Sequence, residues 1–298
     1  MSRIAFIGLG VMGNPMATHL AEAGHDVAGY NNVPVREAAF ELSGGRVATS
    51  IADAVDGAEI VAIMVPDSPD VEQVLTRDGV FDHATPGALI VDFSSIRPDV
   101  TVDLAQQAKA RGFRLLDAPV SGGQKGAVDA SLSIMVGGDT PDFVAALPIF
   151  ETVGKTIVHV GGNGAGQTVK AANQLIVAVN IQALAEAVVF LQAHHVDLSS
   201  ALDVLSGGLA GSKVLDQKRE NMVRHEFRPG FRIELHHKDM GIVTAAAREA
   251  GVVVPVGALV AQLMAAARAN GDGGLDHSAL LLGVERLSGL GTSSPLSP

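Results

Sequence analysis

Cysteine is absent from all 298 residues. That excludes disulfides, thiolate catalysis and cysteine-type zinc sites. Positive charge is also scarce: 21 Lys and Arg stand against 32 Asp and Glu, a net charge of −11. No basic face forms easily from that balance, so nucleic acid is not an expected partner. A charged leader followed by an apolar stretch is missing. Met1-Ser2-Arg3 enters the first expected strand at once, and no export signal is read. Long unbroken apolar runs are missing too. Asn180, Gln182 and Glu186 interrupt Leu175 to Leu191, and Pro255 and Gln262 interrupt Val252 to Ala267. Both stretches read as buried helices, not membrane spans. A cytoplasmic protein without a membrane partner is the expectation.

Apolar residues are plentiful at 47%. A chain of this length and apolarity predicts a large core divided between two domains. The most informative segment comes first. Arg3-Ile4-Ala5-Phe6-Ile7 reads as a buried strand. It runs into Gly8-Leu9-Gly10-Val11-Met12-Gly13, and a helical stretch follows from Asn14 to Ala23. Strand, GxGxxG and helix in that order give the motif the context of dinucleotide binding. Gly8 permits the tight turn, Gly10 lets the backbone approach a pyrophosphate, and Gly13 lets helix and strand pack closely. The helix start offers N–H groups and a positive dipole end to the phosphates.

Strands and helices alternate through the first half. Further strands are read at Val27–Tyr30, Glu59–Met64, Ala88–Phe93, Leu132–Val136 and Thr156–Val160, with another ending at Asp117. Helices are read over Pro34–Leu42 and Pro98–Arg111. Short continuous apolar runs between helices predict a parallel sheet covered on both faces. The pattern changes near residue 162. One helix is expected over Ala165–Ala193, then only helices: Leu198–Leu205, Ser212–Val223, Lys238–Ala250, Val256–Ala269 and His277–Leu287. The fold class is therefore a Rossmann-type α/β N-terminal domain, residues 1–162. A long helix joins it to an all-α C-terminal domain, residues 163–290. Residues 291–298 read as a flexible tail.

Cofactor choice is read after the second strand, where an acid binds the ribose of NAD and an Arg accommodates the phosphate of NADP. Asn31 lies 18 positions beyond Gly13, followed by Asn32. Neither repels a phosphate. Arg36 could reach one, or could be a solvated surface charge. The pattern tilts to NADP, with NAD open.

Two constellations carry chemistry. Lys170 lies in an otherwise apolar helical stretch, with Asn173 and Gln174 on the same face at i+3 and i+4. Clustered polar groups there need partners, which a substrate pocket would supply. Reducing an aldehyde needs a proton donor at the carbonyl oxygen, and a partly buried lysine suits that work. A lysine snorkelling to water is the other reading. The second constellation is Asp117-Ala118-Pro119-Val120-Ser121-Gly122-Gly123, at a strand's C-terminal end. Ser121 with the N–H groups of Gly122 and Gly123 makes a carboxylate cradle. A glycine-rich surface turn is its alternative.

From Ile4 to about Leu287 the chain resembles the β-hydroxyacid dehydrogenase family. The resemblance rests on Phe6 to Gly13, on Asp117 to Gly123, on Gly164-Ala165-Gly166 with Lys170 and Asn173, and on Lys238-Asp239. It implies an NAD(P)-dependent enzyme acting on a small carboxylated aldehyde or hydroxyacid. Lys170 then matches the catalytic lysine and Asn173 its amide partner. Ser121, Gly122 and Gly123 match the substrate-binding segment. Met64, Val65 and Pro66 match the loop over the cofactor's central portion, Ser95 a hydroxyl near the nicotinamide, and Lys238 a lysine reaching the cofactor. Gly207 to Ser212, Val214 to Asp216, Phe231 to His236 and Asp276 to Ala279 resemble the branch that reduces tartronate semialdehyde. In several NADP-using members an Arg stands at the position of Asn32.

Other readings stay in view. A non-catalytic cofactor-binding module or an imine reductase would typically lack the lysine, which is present here. His194-His195 and His236-His237 lack ligand spacing on a shared face, so no metal is expected. His277 either touches the substrate pocket or helps start the last helix. Apolar positions spread around Ala165–Ala193, from Val169 and Ile176 to Val188 and Leu191, predict a homodimer or homotetramer through the helical domain.

Overall fold

The computed structural model describes residues 1–32, 38–77 and 79–290. Arg36, the start of the expected helix Pro34–Leu42, and the tail 291–298 lie outside the described residues. The chain divides into two compact units, Met1–Lys170 and Ala171–Pro298. The first is a Rossmann-type α/β unit and the second is helical, with the helix Ala165–Ala193 running through the division.

Among the described residues, nine strands build the first unit: β1 (Arg3–Ile7), β2 (Asp26–Tyr30), β3 (Arg46–Val47), β4 (Ile60–Ile63), β5 (Leu89–Asp92), β6 (Arg114–Asp117), β7 (Val120–Ser121), β8 (Leu132–Gly137) and β9 (Gly154–Gly161). Their order is β3-β2-β1-β4-β5-β6-β8-β7, with β9 on β8. From β3 to β6 every pairing is parallel. Each buried strand is apolar on both faces, as a doubly covered sheet requires. Ile4 and Phe6 enter one core with Phe93 and Phe150, while Ala5 and Ile7 enter the other with Val61, Ile63 and Ile90. That is the period-2 alternation of a strand, used on two sides.

The expected parallel sheet is found, with one departure from it. β8 runs antiparallel to β6 and β7. Only the short helix Gly123–Val128 stands between β7 and β8. A connection that brief suits a return beside the neighbouring strand better than a crossover to a parallel one.

The core of the second unit gathers Ala178, Ile181, Ala185 and Val188 of the long helix with Leu202, Leu215, Met222, Met240, Met264 and Leu281. Among the described residues this is the one helix long and apolar enough to cross a membrane. Asp197 and Ser212 cap the two helices that follow, accepting from the N–H groups of Ser200 and Leu215. The next helix starts at Ile233, earlier than the expected Lys238. The reason is tertiary. Ile233 N–H donates to Leu275 O, and Arg232 bridges to Asp276, so the helix start is fixed from outside its own sequence. The last helix also differs: His277–Ala279 is a 3-10 turn preceding Leu280–Leu287.

Asp276 ties this corner together. Fully buried, it accepts from the N–H groups of Gly230, Phe231 and Ser278, from the Ser278 hydroxyl, and from Lys218 Nζ at 3.0 and 2.9 Å. Burial pushes this carboxyl up, but the charge that His277 takes on in acid, the Lys218 ammonium and the Ser278 hydroxyl hold it down to about 2. Its stabilising contribution is therefore full above the ordinary value of 3.8 and is lost as pH falls towards 2. Lys218→Met leaves a buried carboxylate without its counter-ion and costs about 3 kcal/mol, the scale for halving a buried pair. Urea unfolding of both proteins checks this. The gap should be largest near neutral pH and should shrink in strong acid; a gap independent of pH refutes the assignment.

Candidate active site

The strand order reverses beside β1, whose neighbours are β2 and β4. Ligands of open α/β sheets bind at such a switch point, beyond the strands' carboxyl ends. Gly8 follows β1 there, and Met64, Val65 and Pro66 follow β4. Gly8 has φ +102°, and a Cβ on it would lie 2.2 Å from Met64 O. A Cβ on Gly13 would lie 1.8 Å from Gly8 O. Both glycines are therefore required by close packing within the loop. Gly10 differs: it is exposed, and a Cβ there meets nothing within 4 Å. Leu9 is buried and anchors the loop from beneath, while Val11 is exposed and Met12 half-buried. The helix Gly13–Glu22 begins with no side-chain cap. An open glycine beside an uncapped helix start fits a pyrophosphate. Asn31 is half-buried, and its Oδ1 accepts from Leu9 N–H at 3.1 Å; Asn32 is exposed. Asn31 thus holds the glycine loop itself.

The lysine is positioned by groups that spacing alone did not single out. Asp117, fully buried at the end of β6, accepts from Gly164 N–H at 2.8 Å and Gln167 N–H at 3.0 Å. It thereby caps the first turn of the long helix. Burial raises its carboxyl above the usual range, against the lowering pull of those N–H groups. The Gln167 side chain is also buried. It donates to Ser94 O at 2.8 Å and accepts from Ile96 N–H at 3.1 Å. Ser94 Oγ in turn accepts from Val65 N–H at 3.0 Å. Half-buried Ser95 lies between the two clamped residues. Less than one turn beyond Gln167, buried Lys170 donates from Nζ to Val120 O at 2.7 Å. The lysine does not snorkel to water. It is turned to the segment that carries Ser121, Gly122 and Gly123. Gly122 and Gly123 have φ +139° and +61°, so this turn needs glycine.

The second unit carries the remaining expected residues. Asn173 Nδ2 donates to Gln174 Oε1 at 2.9 Å. Gln174 Nε2 donates to Asp239 Oδ2, and Asp239 Oδ1 pairs with Lys238 Nζ at 3.0 Å. Asn173 and Lys238, read separately in the sequence, thus end one polar chain. His277 is buried against His236 and takes part in a hydrogen-bonded pair besides opening the 3-10 turn. Phe231 to His236 and Asp276 to Ala279 are also brought together, since His277 N–H donates to Phe231 O.

The glycine geometry separates two variants. Gly10→Ala should change stability by less than about 0.5 kcal/mol, as at an unconstrained surface site, yet weaken dinucleotide binding. Gly13→Ala should lower stability by about 1–3 kcal/mol or more through overpacking. Thermal unfolding with and without added dinucleotide reads both; a Gly10→Ala protein that binds as tightly as the parent removes Gly10 from the phosphate site.

Comparison with known proteins gives the family. The model for the NAD binding domain of 6-phosphogluconate dehydrogenase matches residues 3–161. The model for the NAD-binding region of NADP-dependent 3-hydroxyisobutyrate dehydrogenase matches residues 164–283. The 2-hydroxy-3-oxopropionate reductase of Escherichia coli is 42% identical over 96% of this chain and 98% of its own. The NAD-dependent L-serine dehydrogenase of Pseudomonas aeruginosa is 36% identical over 88% and 91%. The structure of Mycobacterium tuberculosis 3-hydroxyisobutyrate dehydrogenase with L-serine superposes with a TM-score of 0.87 at 34% identity, covering 95% of this chain and 99% of that one. The chain belongs to the 3-hydroxyisobutyrate dehydrogenase-like family of β-hydroxyacid dehydrogenases, and it is an NAD(P)-dependent oxidoreductase of small hydroxyacids.

Proposed function

We propose that the enzyme reduces tartronate semialdehyde (2-hydroxy-3-oxopropionate) to glycerate, and runs the reverse reaction, with Lys170 as general acid and base. The observation that carries the chemistry is the buried Lys170 ammonium, held 2.7 Å from Val120 O beside Ser121. Gly8 to Gly13, Asn31, Asn32, Met64, Val65, Pro66, Ser95 and Lys238 are the residues assigned to the dinucleotide, together with Arg36. The nicotinamide, when bound, supplies hydride to the aldehyde carbon. Lys170 gives a proton to the aldehyde oxygen, so the C=O becomes a CH–OH, and it recovers that proton from solvent. Ser121 and the N–H groups of Gly122 and Gly123 hold the carboxylate, and Asn173 donates a hydrogen bond to the substrate.

Three observations support the finer assignments. The segments resembling the tartronate semialdehyde branch, Phe231 to His236 and Asp276 to Ala279, are hydrogen-bonded neighbours. The Escherichia coli relative named for that substrate spans nearly the whole chain. No carboxylate stands at Asn31 or Asn32 to repel the extra phosphate of NADP, and the Asn31 oxygen is engaged by Leu9 N–H. NADP is accordingly the favoured cofactor, with NAD as alternative. The second unit exposes Ile176, Phe190, Val253, Val256 and Leu259, which supports a homodimer or homotetramer formed through it.

Initial rates of NADPH and NADH oxidation test the substrate, with tartronate, methylmalonate and succinate semialdehydes compared side by side. Selective turnover of the first is expected, and preference for either of the others overturns the assignment. Lys170→Ala should bind cofactor as the parent does and lose on the order of 10²–10⁴-fold in kcat, the scale of general acid catalysis. Near-normal turnover would refute the role of Lys170. Light scattering should read a dimer or tetramer; a stable monomer at micromolar concentration counts against the oligomer.

A further inference from the structure

The helical unit buries two histidines against one another, with their rings tilted by 50°. His236 is 0% and His277 5% exposed, and their Nδ1 atoms lie 3.0 Å apart. His236 Nε2 lies 3.2 Å from the backbone oxygen of Gln174. A carbonyl oxygen only accepts, so His236 Nε2 carries a hydrogen. A neutral His236 ring then has a bare Nδ1, and the facing Nδ1 of His277 must donate to it. That leaves Nε2 of His277 as a bare lone pair, and this atom is buried with no partner. Charging the pair would put an N–H donor in its place. Orphan buried N–H groups are rarer than under-used acceptors. Burial, His236 and the Lys218 ammonium also hold His277 well below the ordinary imidazole range, against the pull of Asp276. With His277 neutral, the hydrogen bonds leave the pair one arrangement of hydrogens.

We infer that His277 is a positioning residue: its Nδ1–H locks His236 into the tautomer that grips the Gln174 carbonyl, and through Gln174 it orients the Asn173 amide. The helix Ile233–Glu249 holds Gln174 at two points. His236 takes its main-chain oxygen, and Asp239 takes its side-chain Nε2. With both ends fixed, Gln174 Oε1 has one direction, and Asn173 Nδ2 donates to it. An amide torsion is broad when unsupported. Fixing one N–H of Asn173 fixes the direction of its other N–H and of its carbonyl. The lock is itself braced. Phe231 packs edge-on against both imidazoles, at 5.6 and 5.5 Å between ring centres. Asp276, beside His277, is held by Lys218. The inference rests on the reading of Asn173 as a substrate-binding residue.

Two measurements on the full-length enzyme test it. Imidazole ¹⁵N resonances of the parent should show His236 protonated on Nε2 and His277 on Nδ1; hydrogen on Nδ1 of His236 overturns the lock. Kinetics then compare His277→Ala, which removes the donor, with His277→Asn, whose amide N–H replaces Nδ1–H. His277→Ala should raise the substrate KM and lower kcat, leave the KM for the dinucleotide unchanged, and reduce kcat/KM by up to roughly 100-fold, the scale of a misplaced orienting group. His277→Asn should restore much of that loss, and in an Asn173→Ala background His277→Ala should cost little more. Equal damage from Asn and Ala, a cost additive with Asn173→Ala, or an undisturbed His277→Ala enzyme overturns the positioning role. If the parent turns over none of the acids, the substrate reading has failed, and the ¹⁵N spectra still decide the lock.

Discussion

A buried carboxylate at the start of the long helix is the constraint on which the rest of the first unit's chemistry depends. A helix begins with unpaired N–H groups and a positive dipole end. Asp117 meets both needs, accepting from Gly164 and Gln167. Packing there is close enough that a Cβ on Gly166 would lie 2.4 Å from Met135 O and 2.8 Å from Asp117 Oδ2. The Gly164-Ala165-Gly166 spacing is therefore needed for the carboxylate to reach the backbone. Once the first turn is set, the pitch of the helix sets Lys170. Gln167 adds a second tie, to the residues flanking Ser95. One acid thus fixes the register of the helix and, through it, the height at which the Lys170 side chain meets Val120 O.

Along the same carboxyl edge of the sheet, after β1, glycine serves two different purposes within six residues. Gly8 and Gly13 are consumed by the protein's own packing, since any side chain would collide with backbone oxygen. Gly10 faces open space and is left for a ligand. Asn31 connects this loop to the end of β2 by accepting from Leu9. A carboxylate in its place could also accept that bond. What the amide changes is charge, and this links the shape of the loop to the choice between NAD and NADP.

The sequence made some of this legible and hid other parts for identifiable reasons. The bounds Ala165–Ala193 coincide with the observed helix, because neither glycine nor proline follows Gly166 within it. The parallel strands were readable as short apolar runs. β3 and β7 are two residues each, too short for any period to register. The helix Ser68–Thr76 carries a signal in its sequence, an Asp67 cap with Asp70 three residues on and Pro69 between. Thr140–Val153 carries a weaker one, Pro141 in its first turn. Gln167 and Asp117 could be seen in their segments, but their roles come from partners about fifty positions apart in the chain. Arg36, on which the cofactor reading leaned, lies outside the described residues.

The polar residues of the long helix explain why its apolar composition misleads. Gln167, Lys170, Gln174 and Gln182 are all buried. In a bilayer such groups would need partners that lipid lacks. Here each has one: Gln167 with Ser94 and Ile96, Lys170 with Val120, Gln174 with Asp239, Gln182 with Glu186. Apolar packing alone tolerates a helix sliding or turning slightly along its neighbours, because the contacts are non-directional. Hydrogen bonds do not tolerate it, since a shift would leave several buried polar groups unpaired at once. The apolar residues thus make the helix stable, and its buried polar stripe makes its position specific. That specificity is what the role proposed for Lys170 requires.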